Sequence, residues 1–301
     1  MNGIIMLTVM VAALGLPVTM AVAAVVWEKH QRRRAGRRSP LTDKLVHLPG
    51  EQLRQRMDTL GNKIEEHIVQ LLMIGPAALL VVLLPRVRWA NLRLSWIDWL
   101  VLAFAIGFCC WNIRRLIPLW RQRRSCRDGM RAEIAVAQQL DRLRESGCTV
   151  FHDLPAGKDF NIDHVVIGPS TVFMVETKSR RKSGEGTASA TVNYDGKALQ
   201  FPGWVERKPL EQARAQARWL ADYLRGETGE ATAVIPVVCL PGWFVQATKE
   251  SHASDVRGIN PRMTSMFVDA GSRAHLQQGQ RNRISNALQK RYPYLDLADQ
   301  D

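Results

Sequence analysis

The chain has 301 residues, with 41 lysines and arginines against 28 aspartates and glutamates, so its formal net charge is +13. Apolar residues make up 46 % of the chain, which excludes a disordered polyelectrolyte and a collagen-like repeat. The length allows one large domain or two ordinary ones. A basic excess of this size is typical of proteins that bind nucleic acid or an anionic membrane surface.

The basic excess lies almost entirely in the first part of the chain. Residues 1–131 hold 20 basic and 8 acidic residues, a net of +12, and residues 132–301 hold the remaining 21 and 20, a net of +1. The first part also carries the longest apolar runs. The C-terminal part is therefore expected to be a nearly neutral domain of ordinary size.

The N-terminal residues 1–27 are predicted to contain a transmembrane helix. From Ile4 to Trp27 there are 24 residues without a charge, enough to cross a hydrocarbon core of roughly 30 Å as a helix. Basic residues follow this run and none precedes it, which is the reverse of a cleaved signal peptide. Positive charge stays in the cytoplasm, so the N-terminus is expected outside.

Two further apolar runs, 68–84 and 97–113, are each 17 residues long and are expected to form a transmembrane hairpin within residues 68–118. Tryptophans cluster at their ends, and arginines flank them. The pattern predicts a multi-pass protein of a bacterial-type inner (plasma) membrane, with a lipid bilayer as partner and the C-terminal domain in the cytoplasm. The alternative is a buried or re-entrant hairpin that never fully crosses.

Between the first two runs, residues 28–67 form a basic and amphipathic segment that is expected to lie in the cytoplasm. Within it, Leu53, Met57, Leu60 and Ile64 repeat at helical spacing. Such a stripe can lie on the membrane surface or pair with a second copy through residues 51–66 as a homo-oligomer. Packing against the same chain is an equally good interpretation.

The C-terminal part alternates helical and strand patterns, which predicts an α/β fold with a mixed sheet. The expected order is α-β-β-β-α-β, followed by a last helix in a C-terminal extension, residues 241–301. The elements are a helix over 131–145, strands over 148–154, 160–167 and 171–177, a helix over 208–224, a strand over 233–240 and a helix over 278–290. Residues 179–206 are polar and are expected to be an insertion or a long loop.

Acidic and basic side chains interrupt the second and third of these strands. Glu176 and Lys178 are two residues apart and so point to the same face. The turn at 168–170 pairs their strand with the one that carries Asp163. Two carboxylates there could hold a hard cation such as Mg²⁺, while Lys178 positions a water or stabilises developing charge. Glu133 could add a third carboxylate at the rim of this site. The alternative is that Glu176 and Lys178 lie on a solvated face, as an E-x-K pattern on a strand usually does.

The stretches R-A-E-I-A-V-A-Q-Q-L, N-I-D-H-V-V-I-G-P and V-F-M-V-E-T-K-S together resemble the nuclease-related domain family. That family belongs to the restriction-endonuclease-like superfamily with its PD-(D/E)xK site, and the resemblance covers about residues 128–240. It implies a restriction-endonuclease-like core. It also implies catalytic or metal-binding roles for a set of five residues: Glu133, Asp163, Glu176, Lys178 and Gln212.

These observations lead to the hypothesis of a membrane-anchored, cytoplasm-facing nuclease. It would hydrolyse phosphodiesters of DNA or another nucleic acid with Mg²⁺ or Mn²⁺ held by Asp163 and Glu176. Arg180, Arg181 and Lys182 follow the strand and could touch phosphates, or could be a solvated basic loop. The alternatives are a catalytically silent membrane-tethered nucleic-acid-binding or scaffold module, and a protein whose work lies in its spans.

Overall fold

The computed structural model describes residues 27, 48–83, 95–157, 160–182, 190–269 and 275–292. The predicted N-terminal span lies outside these residues apart from Trp27, and so do the basic residues that follow it and the link between the two later apolar runs. The described residues divide into two compact units. A helical unit contains residues 57–83 and 95–124, and an α/β unit contains residues 48–56 and the described residues from 125 to 292.

Two long helices supply the helical unit. Helix α1 is Glu51–Leu83 and helix α2 is Trp96–Asp141, and each continues into the α/β unit. Ser95 and Asp98 cap the start of α2, because Ser95 Oγ accepts the N–H of Ile97 and Asp98 Oδ2 accepts the N–H of Ser95. This reciprocal arrangement satisfies amides that a helix end leaves without partners.

The amphipathic stripe of α1 is partly buried within the chain itself. Leu60 and Ile64 are 6 % and 7 % exposed. Further along α1, His67 Nδ1 lies 2.8 Å from Oδ1 of the fully buried Asn112 on α2. This burial agrees with packing against the same chain, and the homo-oligomer remains a prediction.

Helix α2 runs on into a short 3₁₀ turn, and the stretch Trp96–Arg144 is long and apolar enough to cross a membrane by length and composition. It is the one such helix among the described residues, and only 11 % of its apolar window is buried. Large apolar side chains on α2 are exposed, including Trp99, Phe104 and Trp120. Helix α1 carries residues 68–83 of the predicted hairpin, but it is not a second candidate.

The α/β unit contains nine strands and the remaining helices among its described residues. The strands are β1 Thr149–Pro155, β2 Asn161–Ile167, β3 Val172–Thr177, β4 Thr191–Tyr194, β5 Leu199–Phe201, β6 Trp204–Glu206, β7 Val234–Cys239, β8 Phe244–Ala247 and β9 Arg257–Ile259. The helices are α3 Lys208–Thr228, α4 Ser265–Val268 and α5 Gln278–Gln289, with 3₁₀ turns at Arg142–Arg144 and Glu250–Ala253.

The strands form two mixed sheets, which confirms the predicted mixed α/β core. The larger sheet has the order β1-β2-β3-β7-β9, in which β1, β2 and β3 pair antiparallel and β7 and β9 pair parallel. Gly168 permits the turn from β2 to β3, since a Cβ there would lie 2.5 Å from the carbonyl oxygen of Phe267. The turn sets the register that the candidate site depends on.

Residues 179–206 are an insertion, as one alternative predicted, but the expectation of a long loop was wrong. Strands β4, β5 and β6 lie within it and join β8 in a second sheet of order β6-β5-β4-β8. The polar sequence concealed these strands because each is three or four residues long and the sheet exposes one face. Val192, Tyr194 and Leu199 are fully buried on the inner face.

Both faces of the larger sheet are covered. On one face the sheet packs against α3 and α5, with Leu220 and Ile284 fully buried. On the other face it packs against the end of α2, with Val136 and Leu140 buried. Strand β3 is therefore buried along its whole length, and any charged side chain on it must find partners or a ligand.

Candidate active site

The antiparallel pairing of β2 and β3 brings the two predicted carboxylates together. His164 pairs with Val175, so the next rung places Asp163 opposite Glu176, and residues opposite each other share a face. Asp163 Oδ2 also accepts the backbone N–H of Thr177 at 2.6 Å. The side chain of Asp163 is thus fixed against β3, which carries Glu176 and is followed directly by Lys178.

Glu176, Lys178 and Gln212 form a closed triangle of hydrogen bonds. Lys178 Nζ donates to Glu176 Oε1 at 2.5 Å and to Gln212 Oε1 at 3.0 Å. Gln212 Nε2 donates to the same Glu176 Oε1 at 2.9 Å. Gln212 stands near the start of α3, so this helix supplies the third corner. The structure therefore joins three of the five predicted residues through direct hydrogen bonds.

The second oxygen of Glu176 has no hydrogen-bond partner among the described residues. Glu176 is 3 % exposed, and its Oε2 is buried without a hydrogen bond within the described structure. A carboxylate oxygen buried in this way is costly in free energy, because burial removes its hydrogen bonds to water and no donor among the described residues replaces them. An oxygen of this kind is suited to a ligand that the protein alone does not provide.

The charges of the site act on one another. Burial raises the pKa of Asp163 well above its usual range, and the neighbouring charges of Glu176 and Glu133 add to the rise. Burial likewise raises the pKa of Glu133 to about 8, with Asp153 and Glu176 as the next causes and Lys178 opposing them. Glu133 on α2 therefore lies within electrostatic range of Glu176 and Lys178.

The opposite face of β2 carries a histidine pair that the site does not use. His164 is fully buried, and its Nδ1 lies 2.9 Å from Nδ1 of His152 on β1. His152 Nε2 in turn lies 3.2 Å from Asp141 Oδ1. Burial lowers the pKa of both histidines. His164 is therefore packed in the core, as its position next to Asp163 implied.

Residues 128–241 match the family model of the nuclease-related domain. This part of the chain, about two fifths of its length, is similar to that family. The match begins just before Glu133 and ends just after β7, so it includes all five predicted site residues. No curated protein and no solved structure matches the chain.

The basic residues after β3 are engaged within the nuclease-related domain and its extension. Arg180 makes a two-bond pair with Glu206, with Nε 2.7 Å from Oε1 and Nη2 2.8 Å from Oε2. Arg181 Nε lies 2.9 Å from Asp128 Oδ2, and Lys182 Nζ lies 6.0 Å from the ring centroid of Trp243. Sequence reasoning missed these partners because they are distant in the chain.

A further acidic residue, Asp153 on β1, acts on the site, and sequence reasoning missed it too. Its charge is the second cause of the raised pKa of Glu133. The register His152↔His164 and Leu154↔Ile162 brings Asp153 level with Asp163 on the neighbouring strand. The available signal was an acidic residue within a mostly apolar strand, C-T-V-F-H-D-L, the same kind of signal that singled out Asp163.

The residues present fit a hard cation in part. No group of three or more His, Cys, Asp or Glu side chains in the described parts of the chain is arranged to hold a metal ion. Asp163 and the unpartnered Oε2 of Glu176 offer two carboxylates of the kind that Mg²⁺ prefers, and such an ion usually keeps several waters and takes substrate oxygens. A two-carboxylate site completed by water and phosphate is consistent with this donor set.

Proposed function

We propose that the chain is a Mg²⁺- or Mn²⁺-dependent nuclease that hydrolyses phosphodiester bonds of DNA or another nucleic acid. The observation that carries the proposal is the buried, unpartnered Oε2 of Glu176 beside Asp163 and Lys178. A buried glutamate beside a half-buried aspartate and a lysine is costly for stability, and such arrangements are typical of functional sites. The nuclease-related domain supports the same conclusion.

In this proposal Asp163 and Glu176 would hold the metal ion, and a bound ion would supply positive charge for the phosphate oxygens and acidity for a water. Lys178 places a positive charge beside them, where it can orient the attacking water or stabilise charge that develops on the phosphate. Gln212 holds Lys178 and Glu176 in register through its two bonds. Glu133, with a pKa of about 8, can carry or accept a proton near neutral pH.

We also propose that the apolar helices anchor the protein in a bacterial-type inner (plasma) membrane, with the nuclease-related domain in the cytoplasm. The exposed apolar side chains of α2 support this proposal. The excess of arginine at the end of the third apolar run supports the orientation. Under this arrangement the net charge of +12 in residues 1–131 orients the helices, and nucleic-acid binding is left to the nearly neutral domain.

The test is cleavage of plasmid and of single- and double-stranded oligonucleotides by the purified full-length chain, with Mg²⁺, with Mn²⁺ and with EDTA. We expect cleavage that requires metal and is lost in Glu176→Ala and in Lys178→Ala. Glu250→Ala and Lys249→Ala are the matched controls, because both residues are exposed and lie outside the family match, at the 3₁₀ turn of the C-terminal extension. They should cleave like the unaltered chain.

Two outcomes contradict the proposal. Metal-dependent cleavage that survives both site substitutions would mean that another site acts. Absence of cleavage on every substrate, together with retained nucleic-acid binding, would favour the silent binding or scaffold module.

A further inference from the structure

Residues 48–53 lie 75 residues before the nuclease-related domain, yet they pack tightly against its first helix. A Cβ on Gly50 would lie 2.8 Å from Met130 Cγ, and a Cβ on Gly129 would lie 2.9 Å from Leu53 Cδ1. Contacts this close are available only because neither glycine has a side chain. The two glycines therefore allow residues 48–53 to pack closely against α2.

The same segment is attached to β1 through Asp153. Gly50 precedes α1 and has no side chain that could cap the helix, and Asp153 Oδ2 accepts the N–H of Gln52 at 3.0 Å in its place. Asp153 Oδ1 accepts a second bond from Asn161 Nδ2 at 2.8 Å. A carboxylate at a helix N-terminus is favourable, since the helix amides carry partial positive charge there.

Asp153 also has an uncommon backbone conformation. Its φ is +47°, the single positive φ of a non-glycine residue among the described residues, and the residue is 3 % exposed. Left-handed backbone at a buried non-glycine residue costs free energy and persists where surrounding contacts hold it. The bonds from Gln52 and Asn161 supply such contacts.

Glu133 lies close in sequence to the first of these attachments. Gly129 precedes it by four residues, so the two share a face of α2 one turn apart, and Leu53 packs on that turn. The charge of Asp153 also acts on Glu133 and contributes to its raised pKa. Movement of residues 48–53 would therefore shift both structures next to Glu133.

We propose that residues 48–53 are a part of the nuclease site that lies outside the family match, and that Asp153 is a positioning residue which fixes Glu133 through this segment. The catalytic consequence rests on the proposed function. The structural consequence, that the segment and the turn around Glu133 are ordered together, does not. The two can be tested separately on the same variants.

The first test is Asp153→Asn in the purified full-length chain. Asparagine tolerates the left-handed backbone, but its NH₂ group donates, so it replaces only one of the two carboxylate oxygens that accept from Gln52 and from Asn161. We expect amide hydrogen exchange in peptides covering 48–56 and 131–135 to become about tenfold faster, as befits the loss of one charge-assisted bond. In Mg²⁺-dependent cleavage, kcat should fall about tenfold while KM changes less than twofold.

The second test uses packing alone. Gly129→Val places a branched side chain against Leu53, and we expect the same exchange and kcat changes. The added substitution Leu53→Ala opens the space and should restore both. Gly226→Val is the matched control, because Gly226 is also helical and a Cβ there would meet nothing within 4 Å. This control should exchange and cleave like the unaltered chain.

The outcomes separate the two proposals. If the unaltered chain does not cleave, the proposed function fails, while the exchange measurements still decide whether the segment orders the turn around Glu133. If exchange around 131–135 is unchanged in Asp153→Asn and in Gly129→Val, the positioning role is overturned. If exchange changes but kcat does not, the segment is structural only and the proposal is likewise overturned.

Discussion

Replacing Glu133 by glutamine should make the stability of the α/β unit less dependent on pH. Burial, with the charges of Asp153 and Glu176, raises the pKa of Glu133 from 4.5 to about 8. Between these two values the folded protein keeps a proton on Glu133 that the unfolded chain releases. The folded state then binds more protons, so the free energy of unfolding falls as pH rises through this interval.

The magnitude follows from the size of the shift. The proton on Glu133 contributes fully to the free energy of unfolding below about pH 4.5, and this contribution is lost by the time the pH exceeds about 8. A rise of about 3.5 units, from 4.5 to 8, corresponds to about 5 kcal/mol at 1.36 kcal/mol per unit. The partial exposure of Glu133 and its interaction with neighbouring acids reduce this to about 2 kcal/mol. Glutamine has no such proton, so the variant should avoid the loss.

The assay is thermal unfolding of the purified full-length chain, measured by calorimetry in EDTA at pH 5.5 and at pH 9. Between pH 5.5 and pH 9, the change in the unfolding temperature of Glu133→Gln should be more favourable than that of the unaltered chain by about 5 °C, which is the shift expected from about 2 kcal/mol in a domain of this size. Glu145→Gln is the control, because Glu145 is an exposed glutamate shortly after α2. An equal pH dependence in Glu133→Gln and in the unaltered chain would refute the account of the site as a cluster of mutually repelling carboxyls.

Three further results are expected. Mg²⁺ should raise the unfolding temperature of the unaltered chain in a concentration-dependent way, and Glu176→Gln should abolish that rise; an equal rise in the variant would place the ion elsewhere. Glu206→Gln removes the negative charge and one of the two oxygens that pair with Arg180, and because both charged groups are partly exposed it should cost only about 1 kcal/mol in urea unfolding; a loss of several kcal/mol would show that the insertion is held chiefly by this pair. Leu220→Ala should cost about 2–5 kcal/mol, because Leu220 is fully buried on α3, and a change below 1 kcal/mol would contradict the packing of α3 on the sheet.

The candidate site was largely predictable because its signals are local. Because Glu176 and Lys178 are two residues apart, they point to the same face of an extended chain. The turn at Gly168 then brings Glu176 back beside Asp163 on the preceding strand. Both inferences need only the period of a β-strand and the geometry of a tight turn. Burial of the whole of β3 then explains why these charged residues stand out against an apolar background.

The partners of these residues were not predictable in the same way. Nothing in the sequence near Arg180 indicates that Glu206 will meet it, since the polar insertion between them gave a weak strand signal. The short strands β4, β5 and β6 become visible only when they pair with one another and with β8. Their stability comes from non-local pairing and from buried side chains such as Tyr194, so a local pattern cannot reveal it.

The sequence by itself determined where the charge and the apolar runs lie, which strands carry the acidic residues and which family the domain resembles. These properties follow from spacing and composition along neighbouring residues. Only the tertiary structure decided that Gln212 closes the triangle, that Oε2 of Glu176 has no hydrogen-bond partner in the described structure and that residues 48–53 join the domain at Asp153. Each of those facts depends on groups far apart in the chain, and their contact is set by the packing of the whole unit.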